Sequence, residues 1–339
     1  MFKRLLIANR GEIAVRIIRA CQELGIETVA VYSDVDADSL HVQLADHAYH
    51  IGPADASKSY LNMDAIIMAA KAAKAEAVHP GYGFLSENAD FAEKVTNSGL
   101  IFCGPHAETI RKVGNKDAAR EAMRAAGLPM TVGTPPVTSA EHACRMAEEI
   151  GYPVILKPIS GGGGKSMFVA NDQTELLAAL VKVDVSRGGF YLENYIAEAR
   201  HIEVQIMADN YGNILHVGER ECSLQRRNQK VLEESPSSAL TPEMRQHVGA
   251  LAIRAAKSVH YTNVGTVEFL LDVRTGNFYF MEINPRIQVE HAVTEMVTGI
   301  DLVRRQIRIA AGEPLNKKQE DIQYIGHAIE CRINAEDPD

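Results

Sequence analysis

Five polar side chains alternate with apolar ones in the stretch FYFMEINPRIQVEH, residues 278–291: Glu282, Asn284, Arg286, Gln288 and Glu290. Because successive side chains of a β-strand point to opposite faces, this alternation places two carboxylates, two amides and a guanidinium on one face. Such a face is either the solvated side of an ordinary half-buried strand or a reaction surface. The proline at 285 removes a ladder donor, so we expect the sheet to end there and to leave residues 286–290 at its rim.

The apolar runs before this stretch are predicted to form a hairpin around the turn RTG at 274–276. Centring the hairpin on Thr275 places Glu268 opposite Glu282. Carboxylates directly across a ladder repel, and an ionised carboxylate inside an apolar run is costly to bury. A divalent metal resolves both costs, and hard oxygen ligands without a nearby histidine or thiol favour Mg²⁺ or Mn²⁺ over Zn²⁺. We therefore predict a metal site formed by Glu268, Glu282 and Asn284.

The glycine-rich segment KPISGGGGKSM, residues 157–167, has several interpretations. It ends in GKS like a P-loop, but residue 159 is Ile where that motif begins with glycine, and the following MFVA predicts a strand rather than a helix. Four glycines between strands favour a hairpin lid that closes over phosphates, or a merely mobile linker. The candidate lid positions are Gly162, Gly163 and Gly164. Lys157, at the end of an apolar strand, either snorkels to solvent or contacts nucleotide phosphate.

The segment ERECSLQRRNQK, residues 219–230, concentrates basic and amide side chains. It is either a basic surface loop or a platform for a small oxyanion or a triphosphate. On the second interpretation Gln225, Asn228 and Lys230 are binding residues. Cys222 is a nucleophile beside a lysine or a buried, inert thiol.

Composition narrows the functional class. The chain has 339 residues, of which 46% are hydrophobic, which is enough for two or three domains. Its net charge of −9 is unfavourable for nucleic acid as a main partner. No apolar run is long enough to span a bilayer, and the start does not resemble a cleavable signal. Five cysteines without a CxxC pair are typical of a reducing compartment, so we expect a cytoplasmic protein with no membrane partner.

Alternating strand and helix signals in the first hundred residues, interrupted by a loop rich in Asp and Ser, predict a doubly wound parallel sheet. Its loops NRGE and HPGYGFLSEN fall at the carboxyl ends of strands, where such sheets bind ligands. The first loop lacks the GxGxxG spacing of a dinucleotide-binding site, which argues against a nicotinamide or flavin cofactor. A helical connector from 114 to about 133 leads to a small lobe with helices at 140–150 and 174–183. A larger sheet follows, with helices at 241–259 and 294–311.

Six motifs together resemble the successive signatures of biotin carboxylases, the ATP-grasp components of biotin-dependent carboxylases: MFKRLLIANRGEIAVRIIRA, HPGYGFLSEN, KPISGGGG, RECSLQRRNQK, EINPRIQVEHAVTE and HAIECRINAEDP. The resemblance implies an α/β fold with a doubly wound pre-ATP-grasp domain (1–113) and a two-lobed α+β ATP-grasp domain (114–317). The lid lobe of the second domain covers about 131–200. Residues 318–339 begin the family's C-terminal domain, which we expect to be truncated at Asp339.

The resemblance implies ATP-driven carboxylation of biotin by bicarbonate through carboxyphosphate, the first half-reaction of a biotin-dependent carboxylase such as acetyl-CoA carboxylase. ATP and Mg²⁺ or Mn²⁺ are the implied cofactors, and biotin is a substrate. The chain has no AMKM motif, so we expect a separate biotin carboxyl carrier protein, with a carboxyltransferase partner that selects the final acceptor. The first helix, through Arg16, Arg19 and Glu23, implies a homodimer.

The resemblance also assigns roles to single residues. Nucleotide binding falls on Lys116, Lys157, Glu193 and His201. Metal binding falls on Glu268 and Glu282, the pair that the hairpin predicts. The bicarbonate cradle comprises Lys230, Arg286, Gln288 and Val289. Glu290 is the implied base, Arg332 steadies the biotin enolate, and Tyr82 lies near the biotin ring.

Two departures from the family pattern bear on lid closure: KS stands at 165–166 where a basic residue and glycine are usual, and the segment after MFVA is shorter. Two other functions therefore stay open. One is another ATP-grasp ligase that activates a carboxylate for attack by an amine, against which HPGYGFLSEN and Arg332 argue. The other is a non-catalytic ATP-binding relative, against which Glu268, Glu282 and Glu290 argue.

Overall fold

The chain folds around two large β-sheets and one small one in the residues that the computed structural model describes, which are 1–159, 167–185, 189–227 and 229–333. The first sheet is parallel, whereas the two later sheets are antiparallel. The predicted change from α/β to α+β organisation along the chain is therefore confirmed.

The N-terminal sheet has five parallel strands in the order β3-β2-β1-β4-β5. Its strands are β1 (Arg4–Ile7), β2 (Glu27–Ser33), β3 (His47–Gly52), β4 (Ala77–His79) and β5 (Ile101–Phe102). The helices around it are α1 (Gly11–Leu24), α2 (Leu40–Leu44), α3 (Met63–Ala72), α4 (Ala89–Asn97) and α5 (Ala107–Gly114). Alternate residues of β1 enter different cores, Leu5 one and Leu6 the other, as a doubly wound sheet requires. The prediction of a loop rich in Asp and Ser between β2 and α3 is wrong in part, because this segment contains α2 and β3.

A connector helix and a small lobe follow. The elements are α6 (Lys116–Ala125), α7 (Ala140–Ile150), β6 (Val154–Pro158), β7 (Phe168–Ala170), α8 (Gln173–Leu180) and β8 (Phe190–Asn194). Leu156 of β6 pairs with Phe168 of β7 in an antiparallel ladder, so the glycine-rich segment connects a hairpin. The P-loop interpretation, which needs a helix directly after the glycines, is wrong. The lid positions Gly162, Gly163 and Gly164 lie outside the described residues.

The central sheet has six antiparallel strands in the order β13-β12-β9-β10-β11-β14. They are β9 (Ala199–Ala208), β10 (Ile214–Arg226), β11 (Gln229–Ser235), β12 (Asn263–Asp272), β13 (Phe278–Asn284) and β14 (Ala328–Cys331). The helices beside it are α9 (Pro242–Ser258), α10 (His291–Thr298) and α11 (Leu302–Ala310). The single helix predicted at 294–311 is wrong, because Gly299 adopts a left-handed conformation that ends α10.

The segment 219–230 belongs to this sheet rather than to a surface loop. It forms the end of β10, a turn in which Arg227 has a positive φ of 53°, and the start of β11. Asn228 lies outside the described residues. The loop interpretation is therefore wrong for most of the segment, and Lys230 is a strand residue, whereas Arg226 and Arg227 are exposed at the end of the hairpin.

One apolar core joins the two large sheets. Ile17 of α1 and Ile307 of α11 share it with Met207 of β9 and Val264 of β12. The N-terminal domain is thus packed against the central sheet, so that its loops approach the end of β13. Among the helices in the described ranges, none is long and apolar enough to cross a membrane.

Candidate active site

Four charged side chains form a row across neighbouring strands of the central sheet. Glu282 of β13 pairs with Glu268 of β12, which pairs with Glu203 of β9, which pairs with Arg220 of β10. Directly opposed residues share a face, so three carboxylates and one guanidinium lie side by side. The predicted opposition of Glu268 and Glu282 is confirmed.

The hairpin reaches this register through a bulge. Beyond Glu268 the pairing shifts by one residue, so that Phe269 pairs with Phe280 and Leu271 with Phe278. The tip is therefore centred between Arg274 and Thr275, and the extra residue Met281 restores the predicted register. Centring on Thr275 throughout was wrong, although it located the carboxylate pair correctly.

Lys230 is the cation at the centre of the acidic cluster. Its Nζ donates to Glu203 at 2.5 Å, to Glu290 at 2.7 Å and to Glu268 at 3.1 Å. Burial by itself lowers the pKa of Lys230, but the charges of Glu203 and Glu268 outweigh burial and raise that pKa well above its usual range. Lys230 therefore stays a charged ammonium that offsets the repulsion between the carboxylates.

Glu268 is surrounded by donors. Its Oε1 accepts from Asn284 Nδ2 at 2.8 Å and from Gln288 Nε2 at 3.1 Å, and His201 Nε2 lies 3.0 Å from its Oε2. Burial by itself would raise the pKa of Glu268, but His201 and Lys230 hold it well below its usual range. This carboxylate is therefore ionised at neutral pH.

The premise that neither histidine nor thiol lies near the carboxylates is wrong. His201 is in contact with Glu268, and the Cys222 sulfur, a carboxylate oxygen of Glu203 and one of Glu290 lie within 4.8 Å of one another. These side chains come from other strands, so their proximity could not be read from the hairpin sequence. Burial raises the pKa of the Cys222 thiol well above its usual range, which favours the inert-thiol interpretation.

Glu282 and Glu268 fit a hard divalent cation. Glu282 is exposed to a cavity, and desolvation in the cavity wall together with the Glu268 charge raises its pKa. A cation between the two carboxylates would relieve this repulsion. Asn284 turns its amide nitrogen to Glu268, while its oxygen lies 3.4 Å from Arg286 Nη2. Its role as a metal ligand stays a prediction.

Glu290 lies at the start of α10 and is fully buried. Its side chain does not cap the helix; instead Oε1 accepts from Lys230 at 2.7 Å and Oε2 from Arg332 at 2.9 Å. Arg332, one residue beyond β14, also donates its Nε to Glu233 at 2.7 Å. Strand β11 and the end of β14 thus hold two cations against the carboxylate predicted to be the base.

Arg286 follows the proline that ends β13, as predicted. Its Nη1 donates to Gln288 Oε1 at 2.9 Å and to the Ile287 carbonyl at 3.2 Å. Its Nε donates to Glu87 in the N-terminal domain. Residues 286–290 thus form the predicted rim, although they form a turn into α10 and not a continued strand.

A cavity of about 910 Å³ adjoins this rim. Helix α6, the small lobe and the end of the β12–β13 hairpin form its walls. It brings together five of the predicted residues: Lys116, Lys157, Glu193, Glu282 and Asn284. The volume is in the range of small-molecule and cofactor sites.

Lys157 is held in the cavity wall by a buried carboxylate. Its Nζ donates to Glu193 at 2.7 Å, and the other Glu193 oxygen accepts from the Thr131 hydroxyl and lies 3.6 Å from Arg120. Burial by itself would raise the pKa of Glu193, but Lys157 lowers it below its usual value. The snorkelling interpretation of Lys157 is therefore wrong, and Glu193 orients a cation toward the cavity.

Other predicted residues lie apart from the cavity lining. His201 Nδ1 is 2.9 Å from Gln225 Nε2; His201 also contacts Glu268, whereas Gln225 lies at the end of β10. Val289 precedes Glu290 in the turn, and its carbonyl lies 3.2 Å from His291 Nδ1. Tyr82 packs against the core beneath α1.

Sequence reasoning missed four residues of the site: Glu87, Glu203, Arg220 and Glu233. Glu203 alternates with apolar residues in IEVQI, and this signal resembles the one that identified Glu268. Arg220 is fully buried and donates to Glu203, Gln205, Thr266 and Thr294. For Glu87, only the packing of the two domains reveals the contact.

A two-lobed domain with Lys116, Lys157 and Glu282 around a cavity, preceded by a parallel-sheet domain, is the arrangement that the sequence resemblance to the ATP-grasp class of enzymes predicts. Residues 1–110 match the family model "Biotin carboxylase, N-terminal domain", and 115–318 match "Carbamoyl-phosphate synthase L chain, ATP binding domain". Biotin carboxylase 1 of Bacillus subtilis is 55% identical over the whole chain and 77% of its own length.

Solved structures agree. The biotin carboxylase domain dimer of Hydrogenobacter thermophilus 2-oxoglutarate carboxylase, in complex with MgADP, ADP and bicarbonate, is 50% identical with a TM-score of 0.90, over 100% of this chain and 76% of that one. The Campylobacter jejuni biotin carboxylase–β-γ-ATP complex is 46% identical with a TM-score of 0.92, over 99% and 77%. The chain belongs to the biotin carboxylase family, and the predicted fold class and family are confirmed.

Proposed function

We propose that this chain carboxylates biotin, using ATP and bicarbonate, as the ligase component of a biotin-dependent carboxylase. The observation that carries the proposal is the environment of Glu290, a fully buried carboxylate bonded at 2.7 Å by Lys230 and at 2.9 Å by Arg332. Arg286 lies four residues away on the same turn. A general base flanked by cations suits an anionic substrate that must lose a proton.

Bicarbonate is the substrate proposed for this turn. Lys230 and Arg286 offset its charge, and Gln288 and the Val289 backbone complete the cradle. Glu290 accepts the bicarbonate proton after exchanging one of its present donors for the substrate hydroxyl. Because Lys230 has a raised pKa, it stays cationic while this proton moves.

The nucleotide is assigned to the cavity, where Lys116 and Lys157 bind phosphate and Glu193 fixes the direction of Lys157. Glu268 and Glu282, with Asn284 beside them, are the proposed ligands of Mg²⁺, or Mn²⁺. The ion, when bound, neutralises charge that accumulates during phosphoryl transfer. His201, Gln225 and, outside the described residues, Asn228 and Gly162 to Gly164 are proposed as further nucleotide contacts.

Biotin is placed near Arg332, which steadies the enolate, with Tyr82 near the ring. We assign biotin, as a substrate, to a separate carrier protein, with a carboxyltransferase as the second partner. Domain boundaries near 113 and 317 are supported by the two family-model matches.

A homodimer is proposed because the related 2-oxoglutarate carboxylase domain is a dimer. Two of the residues expected at the dimer contact form ion pairs within this chain: Arg16 with Glu295 and Asp301, and Glu23 with Arg304. Sedimentation that detects only monomer at micromolar concentration would contradict the dimer. Five unpaired cysteines, four of them buried, support a reducing, cytoplasmic location.

The deciding experiment is ATP hydrolysis by the purified chain with Mg²⁺, with and without bicarbonate, and with free biotin added to each. Hydrolysis that requires bicarbonate and increases with biotin is expected. Binding of ATP without bicarbonate-dependent turnover would contradict the proposal and favour the non-catalytic relative.

A further inference from the structure

One ion pair crosses from the N-terminal domain to the predicted bicarbonate cradle. Glu87, the residue before the N-cap of α4, places its Oε1 2.5 Å from Arg286 Nε. The Glu87 side chain is 49% exposed, whereas that of Arg286 is 19% exposed. The carboxylate is therefore the more solvent-accessible partner, and the guanidinium is the more buried one.

Arg286 does not need Glu87 for its orientation. Both N–H groups of Nη1 are used, one by Gln288 Oε1 at 2.9 Å and one by the Ile287 carbonyl at 3.2 Å. Nη2 also lies 3.4 Å from Asn284 Oδ1. Two of these acceptors lie on the rim with Arg286 and the third is the last residue of β13, so they hold the guanidinium whichever partner Nε has.

The N–H groups that remain define where an anion can bind. A guanidinium has five N–H donors, and a planar oxyanion takes two of them side by side. With Nη1 occupied, the available edge is the one formed by Nε and Nη2. Glu87 occupies the Nε half of that edge. Bicarbonate presents the same planar O–C–O geometry as a carboxylate, so both would use the same donors.

We propose that Glu87 is an internal competitor of bicarbonate for Arg286, a carboxylate that substrate must displace before the cradle is complete. This inference rests on the proposed function, because it takes Arg286 as a bicarbonate ligand. Glu87 thereby sets the concentration of bicarbonate that the enzyme needs. It also makes occupancy of the anion site depend on how the N-terminal domain packs against the central sheet.

The test is the half-saturating bicarbonate concentration for ATP hydrolysis, at saturating ATP and biotin, in the Glu87→Gln variant. Competition from a half-exposed ion pair predicts a decrease of roughly two- to fivefold, larger than any change in the half-saturating ATP concentration. Glu87→Asp, which keeps a carboxylate, should restore part of the higher requirement. Glu93→Gln is the matched control, because it removes one exposed carboxylate of the same domain that pairs with Arg111 instead.

Binding without turnover gives an independent measurement. Line broadening of ¹³C-bicarbonate in the absence of ATP should show tighter binding to Glu87→Gln than to the original chain or to Glu93→Gln. An unchanged or higher half-saturating concentration, or a lower maximal rate alone, would overturn the competition and make Glu87 a positioning residue.

The variant Arg286→Gln distinguishes a failure of the proposed function from a failure of the proposed competition. If Arg286→Gln leaves the bicarbonate dependence unaltered, Arg286 is not the anion ligand, and the role of Glu87 falls with it. If Arg286→Gln weakens bicarbonate use while Glu87→Gln has no effect, only the competition is wrong.

Discussion

Replacing Arg220 with methionine should destabilise the whole central sheet. The guanidinium is fully buried and donates to Glu203, to Gln205 at 2.7 Å, to Thr294 at 3.0 Å and to Thr266 at 3.1 Å. It therefore ties three strands to helix α10, whose first turn carries the proposed base. Methionine fills similar volume but leaves Glu203 with Lys230 as its one remaining cation among the described residues.

The magnitude follows from the burial of the charge. Removing one partner of a buried ion pair costs about 3–5 kcal/mol, because the charge that stays buried loses much of its compensation. At roughly 2–4 °C per kcal/mol for a domain of this size, the midpoint of thermal unfolding should fall by about 6–20 °C. Arg111→Met is the control, because Arg111 pairs with Asp90 and Glu93 at an exposed site where such pairs contribute roughly 0–1 kcal/mol.

Thermal unfolding followed by circular dichroism measures this difference. Adding Glu203→Gln to Arg220→Met should recover part of the loss, because it removes a buried carboxylate that has lost one of its two cations, with a coupling of about 1–3 kcal/mol. If Arg220→Met and Arg111→Met unfold within about 2 °C of each other, the buried network does not support the sheet in the manner described.

Three further outcomes are expected. Glu290→Gln should abolish bicarbonate-dependent turnover and keep ATP binding, because it removes a base without changing shape; unchanged turnover would mean that the base lies elsewhere. Glu268→Gln should raise the Mg²⁺ concentration needed for half-maximal hydrolysis, and no change would contradict the metal site. Burial and the opposing Glu233 raise the pKa of Glu330 from 4.5 to about 7. The folded state binds the Glu330 proton more tightly than the unfolded state does. Protonation of Glu330 therefore contributes its full stabilisation of the folded state below pH 4.5, and this contribution is lost as pH rises through about 7. Glu330→Gln should therefore gain stability over the original chain at about pH 8 and not at about pH 4, and a pH-independent difference in unfolding midpoint would refute the assignment.

Local patterns were sufficient for much of the fold. Period-two alternation and Pro285 located the end of β13, and the helix predicted at 140–150 has the observed bounds of α7. They failed where a local signal competed with packing. The split between α10 and α11 depends on Gly299, which adopts a left-handed conformation. Because glycine adopts helical and left-handed conformations about equally readily, its presence in a helical pattern does not reveal which one the chain takes.

The sequence by itself determined the family, because six successive motifs carry it. It also determined the parallel and antiparallel sheets and the opposed pair Glu268 and Glu282, because these follow from the local period of contiguous residues. Only the tertiary structure decided which charges compensate them. Lys230, which pairs with Glu268, comes from β11, three strands away from β12. The tertiary structure likewise decided that Arg286 pairs with Glu87, which comes from another domain, 199 positions earlier. Strand pairing and domain packing bring these residues together. Neither produces a periodic pattern in the sequence around the residues concerned, so the contacts cannot be predicted from local sequence.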